Sequence, residues 1–193
     1  NSATARCVTC AQALNAEGIE VLVLSHAGQA IAEQAAKISG VSKVFFADNA
    51  ANEHAIAQVL APQIVELAKG YSHVFGPSTT FGKDLMPCVA ALLGTAQVSD
   101  VMSVESSHSF KRPIYAGNAI ITVNAPANQI VVATVRTASW PAADMNGSAS
   151  VESVSTSAAL PSHTRFVSLQ QGKSDRPDLQ SASKVVSGGR ALG

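Results

Sequence analysis

The chain has 193 residues, 13 Lys+Arg against 13 Asp+Glu, 47% apolar residues and 13% charged residues, which describes one folded domain with a linker attached and excludes disorder for most of its length. A charged fraction about half the usual ~25% leaves few solvated side chains, as expected of a chain whose surface is reserved for a partner. Zero net charge argues against nucleic acids and anionic membranes as partners, and apolar runs such as Val21 to Leu24 fall far short of the ~20 residues of a spanning helix.

The first half alternates helical periodicity with short β-rich runs. The pattern predicts a helix from about Ala3 to Asn15, a strand Val21 to Ser25, a helix Ala30 to Ile38 and a strand Val44 to Ala47. The cycle repeats with a helix from Asn52 or Glu53 to about Lys69, a buried strand His73 to Phe75, and a helix Phe81 to Leu93 closed by Gly94. Such repetition, with strands apolar on both faces, is the signature of an α/β fold: a parallel, Rossmann-like sheet covered by helices. From Ala96 the helical period disappears. Gln97 to Val101, Lys111 to Tyr115, Ala119 to Asn124 and Ile130 to Arg136 read as strands of an antiparallel extension, with turns at Tyr115 to Asn118 and Ala125 to Asn128. Asp144 to Pro161 is Ser/Ala-rich, without an apolar period, and is expected to be partly mobile. A last strand is expected near Arg165 to Leu169. The domain is thus assigned to residues 1–169, a polar linker to 170–183, and the first strand and glycine turn of a second domain to 184–193.

Few residues carry a chemical signature. Three cysteines, an odd number, point to a reducing compartment. Cys7 and Cys10 form a lone CxxC whose spacing also places both thiols on one helix face, so helix packing is the expected role, ahead of redox chemistry. The five histidines are scattered and are assigned structural or surface roles. Gly76-Pro77-Ser78-Thr79-Thr80-Phe81-Gly82-Lys83 links a strand to a helix, where a phosphate loop would lie. It has five residues between its glycines instead of four, and Asp84 stands where a Ser or Thr would reach magnesium. A turn in which Ser78, Thr79 or Thr80 caps the helix is the expected reading. Ser187-Gly188-Gly189-Arg190 combines glycines that permit close backbone approach with a bidentate cation, a pairing suited to a diphosphate. Asp100 and Glu105 read as surface carboxylates, and Tyr115, Asn118 and Arg136 as a polar network or an interface patch.

Taken in order, several segments resemble the electron transfer flavoprotein α-subunit family. They are His73-Val74-Phe75-Gly76 with Ser78 to Pro87, then Ser99-Asp100-Val101, Arg112 to Ala119, Val135-Arg136-Thr137, Lys173 to Leu179 and Val185 to Arg190. The resemblance implies an N-terminal domain of the adenine-nucleotide-hydrolase-like type that serves as scaffold and β-subunit interface. It implies a heterodimeric carrier that takes electrons from acyl-CoA dehydrogenases and other flavoprotein dehydrogenases and passes them to a membrane quinone oxidoreductase. FAD would supply the chemistry. Arg190, with Ser187, Gly188 and Gly189 as backbone contacts, is the part of the family's FAD site that falls within this chain, which places no catalytic residue of its own and no metal.

Two departures bear on that implication. Ala191 stands where the family usually has Gly, and the first strand that usually precedes the opening helix is not present. The natural polypeptide is therefore expected to be longer at both ends, with most of the FAD site outside this chain. The implied compartment is the mitochondrial matrix or, alternatively, the bacterial cytoplasm. Two other classes compete: a stand-alone nucleotide-binding or ATP-dependent enzyme using Gly76 to Lys83, and an assembly module with no redox role.

Overall fold

The computed structural model describes residues 2–170, 179 and 182–192. In chain order, α1 spans Ser2–Gln12, β1 Glu20–Ser25, α2 Gln29–Ala35, β2 Lys43–Asp48, α3 Ala57–Leu67, β3 His73–Pro77 and α4 Thr80–Leu93. Each falls on an expected element. α4 ends as predicted, at Gly94 with φ of +66°, the left-handed conformation that terminates a helix at little cost to glycine. The expected helix from Asn52 does not begin there. Asn49 caps a separate 3-10 turn over Ala50–Asn52, its side chain accepting from the Ala51 N–H at 2.9 Å. Asn52 then turns inward beside α3 and exchanges two amide hydrogen bonds with fully buried Gln63, at 2.7 and 3.2 Å, which an uninterrupted helix would forbid.

The second half departs further from expectation. β4 (Gln97–Val101), β5 (Ser103–Ser106), β6 (Ser109–Ile114), β7 (Ala119–Asn124), β8 (Val131–Val135) and β9 (Ser150–Ser153) follow. Only β5, β6 and β7 form the antiparallel extension. β8 lies between β3 and β4 and pairs with both in parallel, so the expectation that Gln97 to Val101 and Ile130 to Arg136 belong to the antiparallel part is corrected. All five residues of β8 are buried, the condition of a central parallel strand covered on both faces. A second parallel sheet has the order β1-β2-β9.

Asp144 to Pro161, expected to be partly mobile, contains β9 and a run of backbone hydrogen bonds. Asp144 C=O accepts from Ser39 N–H, Gly147 and Ala149 donate to Lys37 and Ala36, and Val154 donates to Phe46, all between 2.8 and 3.0 Å. Ser157 donates both its N–H and its hydroxyl to Glu66, each at 3.0 Å. This stretch is held by backbone pairing, which leaves no apolar period in a sequence. Arg165 to Leu169 is an exposed segment without strand structure; among the described residues no strand pairs with it, and Phe166 stacks on His54 with ring centroids 3.5 Å apart. Of the expected linker, residues 171–178, 180 and 181 lie outside the described residues.

Three apolar clusters fill the interior. Ala32, Ile38, Val44 and Phe46 support the β1-β2-β9 sheet. Val98, Val101, Phe110, Ala133 and Val135 lie where the antiparallel strands meet the other sheet. Leu60, Leu85, Met86 and Val89 pack α3 and α4 over Val132. His73 anchors the β5–β6 turn, with Nε2 2.6 Å from the Ser107 carbonyl and the His108 ring 5.9 Å away. Burial pushes the His73 imidazole below its ordinary range, opposed by the Ser107 hydrogen bond and reinforced by His108. A histidine more basic in the unfolded chain withdraws stability as pH falls below ~6.5 toward its lower folded-state value. The thermal midpoint should therefore drop between pH 7 and 5.5, and His73→Gln should flatten that slope. Equal slopes in the two proteins would show that His73 is not the titrating group.

Candidate functional site

The C-terminal ends of β3, β8 and β4 form the edge where open α/β sheets collect ligands. Several side chains of the protein hydrogen-bond to one another and to backbone along that edge. Thr79 is the N-cap of α4, its hydroxyl accepting from Gly82 N–H at 3.2 Å, so one of the three candidate caps read from the sequence fills that role. Thr79→Ala should cost ~1 kcal/mol of stability, read from the urea midpoint at constant slope. Gly82 has no room for a side chain: a Cβ there would lie 1.8 Å from the Pro77 carbonyl oxygen. This glycine serves helix–strand contact, and its own N–H is given to the Thr79 cap.

Asp100, expected to be a plain surface carboxylate, is not one. A bulge between Val98 and Val101 gives it a left-handed φ of 61°. Its N–H thereby donates to the fully buried Thr134 hydroxyl at 2.9 Å, and its carboxylate meets the Arg136 guanidinium at 3.2 Å. Arg112 donates to the Ser99 carbonyl at 2.6 Å, the Trp140 indole N–H to the Val101 carbonyl at 3.1 Å, and Arg6 to the carbonyls of Thr137, at 2.9 Å, and Trp140. These cations are engaged with backbone acceptors and one carboxylate, a lock on irregular chain. Glu105 does behave as read, paired with Lys111 at 3.0 Å on the surface. Nothing in the sequence marks the Asp100 lock, because a bulge whose left-handed residue is Asp lacks the glycine that would signal it.

Tyr115, Asn118 and Arg136 are not one network. The Asn118 side chain donates to the Tyr115 carbonyl at 2.9 Å within its own turn, while Arg136 belongs to the Asp100 lock. Tyr115 is 78% exposed and Ile120 on β7 is 56% exposed, so the apolar surface at this end of the antiparallel sheet faces outward. Cys7 and Cys10 pack in the interior, where burial pushes both thiols up to about 12. They stay protonated at neutral pH and are poor nucleophiles and metal ligands. Among the described residues no three His, Cys, Asp or Glu are grouped to hold a metal ion, and no helix is long and apolar enough to cross a membrane.

Ser187, Gly188, Gly189 and Arg190 lie in an exposed tail. The strand expected at the start of residues 184–193 does not form: among the described residues none pairs with this segment, and Val186 is fully exposed. Arg190–Leu192 forms a single 3-10 turn, and a Cβ on Gly189 would meet nothing within 4 Å. A guanidinium beside open glycine backbone suits one edge of a diphosphate. A flavin also needs an apolar enclosure for its ring system, and no described residue provides one around this tail. The residues present do not fit a whole flavin.

Residues 1–160 match the family model described as the electron transfer flavoprotein domain. The chain is similar to the electron transfer flavoprotein subunit alpha of Pseudomonas aeruginosa, 50% identical over 192 residues, covering 99% of this chain and 61% of the relative. It is 45% identical over 191 residues to the subunit of that name from Paracoccus denitrificans, with the same two coverages. A probable mitochondrial electron transfer flavoprotein subunit alpha of Cryptococcus neoformans var. grubii is 40% identical over 198 residues, covering 100% of this chain and 57% of the relative. The chain spans about three fifths of the length of these relatives.

Proposed function

We propose, for a chain that belongs to the electron transfer flavoprotein domain family, that it is the scaffold and interface portion of an α subunit in a heterodimeric electron carrier. The observation that carries this reading is collinearity: 99% of the chain aligns with an α subunit at 50% identity. The complete carrier binds FAD, accepts electrons one at a time from acyl-CoA dehydrogenases and other flavoprotein dehydrogenases, and delivers them to a membrane quinone oxidoreductase. In it, residues 1–169 form the α/β domain, 170–183 the linker, and 184–193 the first strand and turn of the flavin domain. There Arg190 and the Ser187 to Gly189 backbone hold the cofactor's diphosphate edge, supported by the donor chemistry of an exposed tail that awaits its enclosure. The compartment is the mitochondrial matrix or the bacterial cytoplasm; the 50% and 45% identities to bacterial subunits favour the second.

Two measurements test the parts separately. The 193-residue chain mixed with a family β subunit should form a 1:1 complex on size exclusion, weakened at least tenfold by Ile120→Asp on the exposed antiparallel sheet. No complex would overturn the interface role. In the full-length heterodimer, Arg190→Ala should lower FAD retention at least tenfold without dissociating the subunits. Unchanged retention would remove Arg190 from the site.

A further inference from the structure

Asn146 is the one asparagine of the chain that is followed by glycine. In such a pair no side chain hinders the glycine nitrogen, which can attack the asparagine amide carbon, so the unit is chemically labile in neutral water. Residues 144–149 lead into β9 along the connection from α2 to β2. Ser39 N–H donates to the Asp144 carbonyl at 2.8 Å, Gly147 N–H to the Lys37 carbonyl at 2.8 Å, and Ala149 N–H to the Ala36 carbonyl at 3.0 Å. The approach leaves no space for a side chain. A Cβ on Gly147 would lie 2.6 Å from the Ile38 carbonyl oxygen and 3.0 Å from its carbon. Close contact therefore requires glycine here, and it places β9, four residues at the sheet edge, in register with β2.

The same contacts restrain both reacting groups. Attack needs the Gly147 nitrogen to lose its proton and turn toward the Asn146 side chain, but that proton is held by the Lys37 carbonyl. The amide under attack is held as well, because the Ser39 hydroxyl donates to Asn146 Oδ1. Nitrogen and carbon are thus tied to Lys37 and Ser39, on either side of Ile38, and closing a five-membered ring requires both ties to break. Asn146 itself is exposed, so water reaches it freely. Geometry, rather than access, holds the reaction back.

We propose that Asn146-Gly147 is a deamidation site gated by detachment of residues 144–149 from the α2–β2 connection, and that its isoaspartyl product excludes β9 from the sheet. Once the segment opens, the Gly147 nitrogen bonds to Asn146 Cγ, the Cγ–Nδ2 bond breaks, and ammonia leaves with the proton that the nitrogen gave up. The cyclic imide then takes up one water molecule. Cleavage on the Cγ side gives aspartate, whose carboxylate can still accept from Ser39. Cleavage on the main-chain side gives isoaspartate, in which the backbone runs through Cβ and Cγ and is one methylene longer. With Asp144 still on Ser39, Gly147 and Ala149 fall out of step with Lys37 and Ala36, and the pairing of Ser150 to Ser153 with Lys43 to Phe46 is lost. The rate is the intrinsic rate multiplied by the open fraction, so the site records openings of this sheet edge. This inference is independent of the electron-carrier reading.

The test compares the 193-residue chain, folded and in urea, with a capped peptide of residues 144–149, using peptide mapping that separates aspartate from isoaspartate. Over weeks at neutral pH the folded chain should deamidate at Asn146 at least tenfold more slowly than the peptide, and the urea-unfolded chain at the peptide's rate. Ser39→Ala should speed the folded chain at least threefold and leave the unfolded rate unchanged. Urea below the unfolding transition should raise deamidation and deuterium exchange of the Gly147 amide by the same factor. The isolated isoaspartyl form should exchange the Gly147 and Ala149 amides at least tenfold faster, whereas Asn146→Asp should keep them protected. A folded rate equal to the peptide's, no effect of Ser39→Ala, or exchange and deamidation that do not rise together would remove the gate and overturn the proposal. Undiminished protection in the isoaspartyl form would overturn the exclusion of β9.

Discussion

Phe110→Ala should lower the unfolding free energy by about 3–5 kcal/mol, a large share of the ~5–15 kcal/mol that holds a domain together. Phe110 is fully buried although it belongs to β6, the middle strand of the antiparallel sheet. Its ring stands edge-on to Phe75 of β3, with centroids 6.4 Å apart and planes at 77°. Its register partners Val104 and Val123 lie in the same cluster as Val98, Val101 and Ala133 of the parallel sheet. One side chain thus fastens the extension to the core, and alanine would both return apolar area to water and leave a cavity that rigid strands on two sides cannot close. Phe110→Leu, which keeps most of the volume, should cost less than ~1.5 kcal/mol. Ile120→Ala on the exposed side should stay within about 0.5 kcal/mol. Urea titrations with unchanged slopes decide the matter; a Phe110→Ala loss below 1 kcal/mol would mean that the antiparallel sheet is held elsewhere.

The alternation of helix and strand up to Gly94 was readable because each element there is both periodic and punctuated. The stretch from Val21 to Leu24 is a continuous apolar run, and Thr79 and Gly94 mark the two ends of α4. After Ala96 the signals separate from the structure. β8 reads Val131-Val132-Ala133-Thr134-Val135 with no polar alternation, which is the composition of a strand covered on both faces. Grouping it with its sequence neighbours hid that it returns between β3 and β4. β9 escapes for a different reason: Ser150-Val151-Glu152-Ser153 offers one partly buried apolar residue, at a sheet edge, and its position is fixed by the backbone bonds from Gly147 to Lys37 and Ala149 to Ala36. The tail from Ser187 to Arg190 is chemically legible as a diphosphate edge, but a site is an enclosure, and the described residues around it supply none. The Asp100 lock was illegible because its partners Thr134 and Arg136 are brought to it by the non-local β4–β8 pairing.

Gly82→Ala should destabilise the protein by about 1–3 kcal/mol, the opposite of what helix propensity alone requires. Exchanging glycine for alanine inside a helix ordinarily gains up to ~1 kcal/mol, and Gly82 lies in the first turn of α4. The new Cβ, however, would lie 1.8 Å from the Pro77 carbonyl oxygen and 3.0 Å from its carbon. That oxygen is backbone, at the end of a strand paired in register with Val135, so it cannot swing aside as a flexible side chain would. Relief requires α4 to move off β3, and Met86 and Val89 of the same helix are packed against Val132. Gly94→Ala is the informative contrast. A Cβ there meets nothing within 4 Å, but φ of +66° is unfavourable for alanine, and a loss of roughly 1–2 kcal/mol should come from backbone strain alone. The pair also separates two readings of the turn from Gly76 to Lys83. If Gly82 serves contact between helix and strand, alanine lowers the thermal midpoint and ATP, added at millimolar concentration, raises the midpoint of neither protein. A wild-type midpoint raised by ATP, with the rise lost in Gly82→Ala and in Lys83→Ala, would instead make the turn a phosphate loop and return weight to a nucleotide-binding enzyme.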